Sequence, residues 1–371
     1  MKISFIIGTR PELIKVAPVI LECKRNNISI DIVNTAQHKD LLDSYWETFD
    51  IMPTVVLDVM IAGQNLSSLT SRAILAIQGY IDKVEIKPDI IIAQGDTTTV
   101  MAASMVGFYN SIAFAHIEAG LRSFNFAHPY PEEFNRRVAS ITANIHLCPT
   151  EVSKKNLLNE GVNPKSIYVV GNTVIDSVNL IKNSKKFESS EWSNSSLLAL
   201  KAFNKCVLIT CHRRENHGSN LLEIIDSVIK LAQMENDTAF VWTLHPNPNV
   251  KQIVLDSLLS NLPNVILTSP LEYLDLLKMI NKSICLITDS GGLQEEAPSF
   301  KTPVLVLRET TERPEGVDEG VAFLVGHNKK KIIEMFEYVK KSKIQFNGNP
   351  YGDGNSAKYI LKALKENFEE F

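Results

Sequence analysis

The chain reads as two doubly wound α/β domains. Short β-rich apolar runs alternate with longer amphipathic stretches along all 371 residues, the rhythm of strand–helix–strand units around a parallel sheet. The rhythm breaks once, in a polar, serine-rich stretch near residues 184–204, and then restarts. At ~150 residues per domain the length also suggests about two domains.

In the first half the apolar runs fall at residues 3–7, 28–34, 90–93, 112–115, 145–147 and 168–170. They are apolar on both faces, as strands of a sheet covered by helices on both sides must be. Helical patterns lie between them at 17–25, 66–84, 98–109 and 153–160. The helix after Gly171 closes this half, giving a first domain over residues 1–184 and a second over 185–355. The second half has runs at 207–210, 239–244, 265–267, 284–288, 304–307 and 323–325, with helical stretches between. A turn-rich linker, NGNPYGDGN, then leads to an amphipathic helix within residues 356–371. That helix fits either the second domain or a return onto the first.

Composition narrows the function. With 38 basic and 42 acidic residues the net charge is −4, which argues against a general nucleic-acid binder or a polybasic membrane protein. A chain this long builds a core without disulfides or a structural metal. Its five cysteines are odd in number, scattered and without a C-x-x-C pair, as expected of buried thiols in a reducing compartment. No run approaches the ~18 apolar residues of a membrane helix. The opening MKISFIIGTRPE is a short apolar stretch interrupted by Arg10 and Glu12, so it reads as a first strand rather than a signal peptide. The expectation is a soluble cytoplasmic protein.

In open α/β sheets ligands bind beyond the carboxyl ends of the strands, so the residues after each strand matter most. The first strand is followed by Gly8, Arg10, Pro11 and Lys15, a helix start flanked by cations and suited to an anion. The same residues would also serve an ordinary solvated helix start. Gln94-Gly95-Asp96 follows a later strand, where Asp96 fits either catalysis or a helix cap. The next strand ends in His116, Glu118 and Arg122, three ionisable residues close together. Pro131 then opens a helix with Glu132 and Glu133; these suit the helix dipole, but at least one should face the same site as Asp96 and Glu118.

In the second half, His212 follows a strand inside the loop Cys211-His212-Arg213-Arg214, a position for a general acid or base. Cys211 beside it finishes the strand. His245 ends the next strand, but no spacing unites it with His212 and a carboxylate as metal ligands, so no metal is expected. The strongest local signal is Thr288-Asp289-Ser290-Gly291-Gly292 running into Glu295 and Glu296. Small residues at a strand–turn–helix junction let backbone N–H groups approach a diphosphate, and Glu296 is placed to accept bonds from ribose hydroxyls. The loop of Arg308, Glu312 and Arg313 adds cations. The phosphate-binding motif of ATP hydrolases, G-x-x-x-x-G-K-[ST], is absent.

Taken together, GTRPELIK, QGDTTT, HIEAGLRS, PYPEEFNR, VGNTVID, CHRREN, HPNPNV, TDSGGLQEEAP, RETTERPEG and NPYGDG resemble the non-hydrolysing UDP-N-acetylglucosamine 2-epimerases over essentially the whole chain. The resemblance implies an isomerase with two Rossmann-like domains facing across a cleft, as in GT-B glycosyltransferases. It implies interconversion of UDP-GlcNAc and UDP-ManNAc for surface polysaccharide synthesis, in a homodimer, without cofactor or metal. By the same resemblance Asp96, Glu118, Glu132 and His212 are catalytic. Arg10, Lys15, Ser290, Gly291, Gly292, Glu296 and Arg313 contact the UDP-sugar. Gln37, Arg213 and His245, with Glu132, contact a second UDP-GlcNAc that acts as an effector. Four positions depart from the family pattern. Leu271 and Leu276 stand where some members have Gln and Phe, Asp40 where Gln or Glu is usual, and Gly63 where some have Arg.

The implied chemistry removes UDP across C1–C2 to give 2-acetamidoglucal, then adds UDP back with C2 inverted. Four alternatives use the same features. They are a hydrolysing epimerase releasing ManNAc, a 2-epimerase of UDP-diacetamido-glucuronate, a GT-B glycosyltransferase, and a silent nucleotide-sugar sensor.

Overall fold

The computed structural model describes residues 1–36, 39–61, 63–127 and 129–368. The chain forms two compact units, Met1–Ser177 with Tyr351–Phe371, and Val178–Pro350.

The first unit holds a sheet of β1 (Lys2–Ile7), β2 (Ser29–Asn34), β3 (Val55–Val56), β4 (Ile90–Gln94), β5 (Ala113–Ile117), β6 (Ile145–Cys148) and β7 (Ile167–Val169). Its order is β3-β2-β1-β4-β5-β6-β7, with parallel pairing throughout. The second unit holds β8 (Lys205–Thr210), β9 (Thr238–Thr243), β10 (Val265–Thr268), β11 (Cys285–Thr288), β12 (Val304–Val306) and β13 (Ala322–Leu324). Its order is β10-β9-β8-β11-β12-β13, again parallel. In each sheet the order reverses beside the first strand, between β1 and β4 and between β8 and β11. Those two points are where a doubly wound sheet opens a crevice at its carboxyl edge.

The central strands are buried on both faces, β1 and β4 in the first unit and β8 and β9 in the second. Phe5 and Phe114 fill the first core, and Trp242, Phe240 and Phe336 the second. All five cysteines are buried and free. Among the described residues, no helix is long and apolar enough to cross a membrane, and no group of His, Cys, Asp and Glu is arranged to hold a metal.

β3 and the helix before it, Lys39–Phe49, were not read from the sequence. β3 is two residues long, too short to show as an apolar run. The first helix runs continuously over Arg10–Arg25, from the start read at Pro11 through the periodic stretch at 17–25. Its early turns bury Glu12 and Lys15, which interrupts the apolar periodicity. A capping box between Thr9 and Glu12 starts it.

The units divide at Ser177 and Pro350, where the sequence reading placed boundaries after 184 and 355. Local bonding follows the division. Ser177 Oγ donates to the Ile14 carbonyl within the first unit, whereas Lys182 Nζ reaches the Ser299 carbonyl of the second at 3.0 Å. The C-terminal helix Ser356–Phe368 belongs to the first unit and packs on Arg10–Arg25. Asp176 caps it, accepting from Ala357 N at 2.9 Å and Ser356 N at 3.2 Å. The polar stretch after residue 184 is tied down by buried Asp275, which accepts from Ser193 N at 2.9 Å and Ser193 Oγ at 2.7 Å.

Gly120 separates backbone strain from overlap. It has φ +84°, and a Cβ there would overlap the Ser153 carbonyl. Gly161 has nearly the same φ, +83°, with open space around it. Gly161→Ala should therefore cost about 1 kcal/mol from strain alone, and Gly120→Ala about 2 kcal/mol more from overlap. Urea midpoints of the two variants report this directly, and equal midpoints would contradict the packing described.

Candidate functional site

At the carboxyl edge of the first sheet, the buried Lys15 ammonium lies 2.5 Å from Glu118 Oε1. Gln94 donates to the other oxygen of the same carboxylate. Glu118 follows β5 with φ +68°, a left-handed backbone uncommon for a residue with a Cβ; such strain persists where the surroundings hold it in place. Asp96 follows the adjacent β4. Its Oδ2 pairs with Arg136 Nη2 at 2.5 Å, and its carbonyl accepts from Asn135 Nδ2 at 2.8 Å. The helix Glu132–Thr142 thus docks on the Asp96 turn.

That helix sorts its two leading acids. Glu133 is fully buried and accepts from Ser123 N at 3.0 Å and Arg136 Nη1 at 3.2 Å, so it is structural. Glu132, half-buried, has an Oε2 with no hydrogen-bond partner. Arg10 lies over the Tyr45 ring at 5.6 Å. Glu12 closes the turn after β1, accepting from Gly8 N at 2.6 Å. Burial pushes its carboxyl up to about 7, against the pull of those hydrogen bonds.

Of the three ionisable residues around the end of β5, only Glu118 joins this group. Arg122 is buried against Glu160, Ser140 and the Leu121 carbonyl, each at 2.8 Å. His116 is fully buried with Nε2 2.7 Å from the Gly95 carbonyl, and so braces the Gly95 turn.

In the second unit Asp289 is fully buried one residue beyond β11. Its Oδ1 lies 2.9 Å from His212 Nδ1. Its Oδ2 accepts from His212 N at 2.9 Å, Arg213 N at 2.8 Å and Asn216 Nδ2 at 2.9 Å. Burial opposes the charge, yet His212 and these donors hold the carboxyl well below the usual range. The His212 ring stacks on His245, with centroids 5.5 Å apart and planes at 19°. Burial and the facing His212 both lower the affinity of His245 for a proton.

Beyond Asp289 comes the Ser290-Gly291-Gly292 turn. Ser290 N donates to Thr288 Oγ1 at 2.9 Å. A Cβ at Gly291 would lie 2.5 Å from Arg313 Nη1 and displace the guanidinium, which rests on bare backbone. Arg313 Nε pairs with Glu295 at 2.7 Å and Nη1 with Glu312 at 2.7 Å. Arg308 reaches Glu312 at 2.7 Å, and Arg213 lies 3.6 Å away. Although burial opposes it, Arg313, Arg308 and Arg213 hold the Glu312 carboxyl well below the ordinary carboxylate range. Glu296 is buried and its Oε1 accepts from the Tyr273 hydroxyl at 3.0 Å.

The residues singled out in the sequence therefore form two groups. Asp96, Glu118, Glu132, Arg10 and Lys15 stand at the edge of the first sheet. His212, Arg213, His245, Ser290, Gly291, Gly292, Glu296 and Arg313 stand at the edge of the second. Leu271 is buried and Leu276 half-buried. Gln37 lies outside the described residues. Arg136, Tyr273, Glu312 and the role of Asp289 were not read from sequence. For Asp289 a signal existed: β8 and β11 are neighbours with Thr210 opposite Thr288, so the residues just beyond them meet.

His116 gives this region a pH signature. Burial pushes its pKa from 6.5 down to about 4. The unfolded chain therefore binds the proton more readily. The stabilisation is fully present above 6.5 and is lost as pH falls toward 4. His116→Gln, which keeps a donor for the Gly95 carbonyl, should lose less stability between pH 7 and 4.5 than the parent. Urea midpoints at both pH values measure it, and identical losses would contradict this role.

The sequence profile described as UDP-N-acetylglucosamine 2-epimerase matches residues 21–365. A Neisseria meningitidis protein named UDP-N-acetylglucosamine 2-epimerase is 42% identical over 377 aligned positions, covering 99% of this chain and 100% of its own. The crystal structure of UDP-GlcNAc 2-epimerase from Neisseria meningitidis bound to UDP-GlcNAc superimposes with a TM-score of 0.89 at 41% identity, covering 99% of this chain and 100% of that one. The Methanocaldococcus jannaschii UDP-GlcNAc 2-epimerase, in complex with UDP-GlcNAc and UDP, gives 0.85 at 33% identity, covering 99% and 100%. With a profile match over most of its length and near-full-length relatives at this identity, the chain belongs to the UDP-N-acetylglucosamine 2-epimerase family.

Proposed function

We propose that this protein interconverts UDP-GlcNAc and UDP-ManNAc by eliminating UDP and adding it back. The observation that carries the reading is that the acid–base residues expected of this family recur here in matched surroundings. Glu118 is paired with Lys15 beside Asp96, and His212 is held by Asp289 beside the Ser290-Gly291-Gly292 turn.

The chemistry explains why so many ionisable groups are needed. No carbonyl flanks the sugar C2–H, so its proton is not acidic enough for simple removal and return. Departure of UDP from C1 develops oxocarbenium character that carboxylates stabilise. One group takes the C2 proton to leave 2-acetamidoglucal, and another returns a proton from the opposite face as UDP adds back. Asp96, Glu118, Glu132 and His212 are the groups for these transfers. Arg313 and the Ser290–Gly292 backbone receive the diphosphate, Arg10 and Lys15 add positive charge, and Glu296 meets the ribose. The reaction needs no metal or redox cofactor.

The enzyme acts as a cytoplasmic homodimer and supplies a surface-polysaccharide pathway. A second UDP-GlcNAc, contacted by Gln37, Glu132, Arg213 and His245, serves as effector. Gly63, where some family members have Arg, weakens its hold, since a charge-assisted bond from Arg is worth about 1.5–3 kcal/mol.

Incubation with UDP-GlcNAc alone, followed by proton NMR, tests the reading. UDP-ManNAc should accumulate to a fixed ratio without free sugar. UDP with free ManNAc would indicate a hydrolysing enzyme, and unchanged substrate a transferase or sensor; either overturns the proposal. In the same assay started from UDP-ManNAc, turnover should lag until a trace of UDP-GlcNAc is added. Full initial velocity without a lag would remove the effector.

A further inference from the structure

We propose that Asp289 is a positioning residue that locks His212 into one tautomer, with the proton on Nδ1 and the lone pair on Nε2. The inference rests on the reading of His212 as an acid–base group.

The argument starts from hydrogen-bond capacity. Neutral imidazole has one N–H and one acceptor nitrogen, and its neighbours decide which is which. An ionised carboxylate only accepts. Asp289 Oδ1 stands 2.9 Å from His212 Nδ1 and accepts no aligned hydrogen bond; a lone pair on Nδ1 would face the carboxylate charge at that distance, so the proton belongs on Nδ1. Asp289 is fully buried, yet its other oxygen accepts from His212 N, Arg213 N and Asn216 Nδ2, all within 2.9 Å. Those donors, with the imidazole, keep it charged at neutral pH against the cost of burial.

The exposures divide the labour. The Asp289 side chain is 0% exposed and that of His212 is 37% exposed. Nε2 is then the nitrogen that exchanges protons with a ligand. Stacking on His245 at 5.5 Å fixes the plane of the ring, while Asp289 fixes its rotation. When Nε2 takes a proton from substrate, the imidazolium faces a carboxylate already in place. When Nε2 gives the proton up, the ring returns to the same tautomer. Asp289 stays ionised throughout.

A purely structural role would be to gather the loop after β8. Asparagine performs that role equally well, because its Oδ1 accepts from the same three N–H groups. Its Nδ2 then faces His212 Nδ1 and donates to it. The imidazole must accept at Nδ1 and carry its proton on Nε2, the tautomer unable to take a proton from substrate.

Asp289→Asn is therefore the decisive variant. Its kcat should fall about 10²–10⁴-fold, while the Kd for UDP stays within about threefold of the parent. Two-bond ¹H–¹⁵N correlation spectra of the ligand-free protein, with His212 assigned by its absence in His212→Gln, should show the Nδ1–H form in the parent and the Nε2–H form in the variant. An Nε2–H form in the parent overturns the proposal without needing any variant to fold. So does parent-like turnover in Asp289→Asn. Failure of the parent to make UDP-ManNAc would instead reject the epimerase reading, leaving the tautomer measurement as an independent result.

Discussion

A carboxylate buried at the dry end of a parallel sheet must find its partners on the spot. Left unmatched it costs several kcal/mol or loses its charge. This constraint shapes both units. Glu118, after β5, meets Lys15, which the helix after β1 carries across from two strands away. Asp289 meets the loop after β8, and Glu312 meets Arg308 and Arg313. For Glu118 and Asp289 the partner comes from a separate helix or loop, so matching the charge also fixes those segments; Glu312 is matched within its own loop. The Asp289 match joins the residues after β8 and β11, the reversal point of the second sheet, where a ligand has room to bind.

The fold was legible because strands buried on both faces write continuous apolar runs, and nearly every one is recovered within a residue or two. What failed to show was whatever lacks such a run. β3 is an edge pair of residues, and the apolar periodicity of the helix Arg10–Arg25 begins only near residue 17 because its first turns bury Glu12 and Lys15, though turn chemistry at Pro11 marks its start. The point at which the chain passes from one unit to the other was hidden for a related reason. It falls inside the helix Thr173–Lys182, whose pattern does not change there.

The site was legible by position and residue type but not by partnership. Sequence pointed to His116, Glu118 and Arg122 as a group; packing separates them, because His116 and Arg122 are consumed by the Gly95 turn and by Glu160. It offered Glu132 and Glu133 together, and only contacts from Arg136 and the residues after Arg122 show which is structural. Asp289 sat inside a recognised motif without a role, since its role depends on a loop 77 positions away in the chain. Hydrogen-bond partners at that separation leave no mark on local periodicity.

In the proposed reaction the C1–oxygen bond breaks and re-forms, because departure of UDP is what makes an otherwise unreactive C2–H removable. UDP-GlcNAc carrying ¹⁸O in the bridge between C1 and the β-phosphorus tests this most directly. As epimerisation proceeds, the label should move into non-bridging positions of the β-phosphate, read as shifts in the ³¹P spectrum of the nucleotide sugars. Epimerisation at C2 with the label still wholly in the bridge would contradict it.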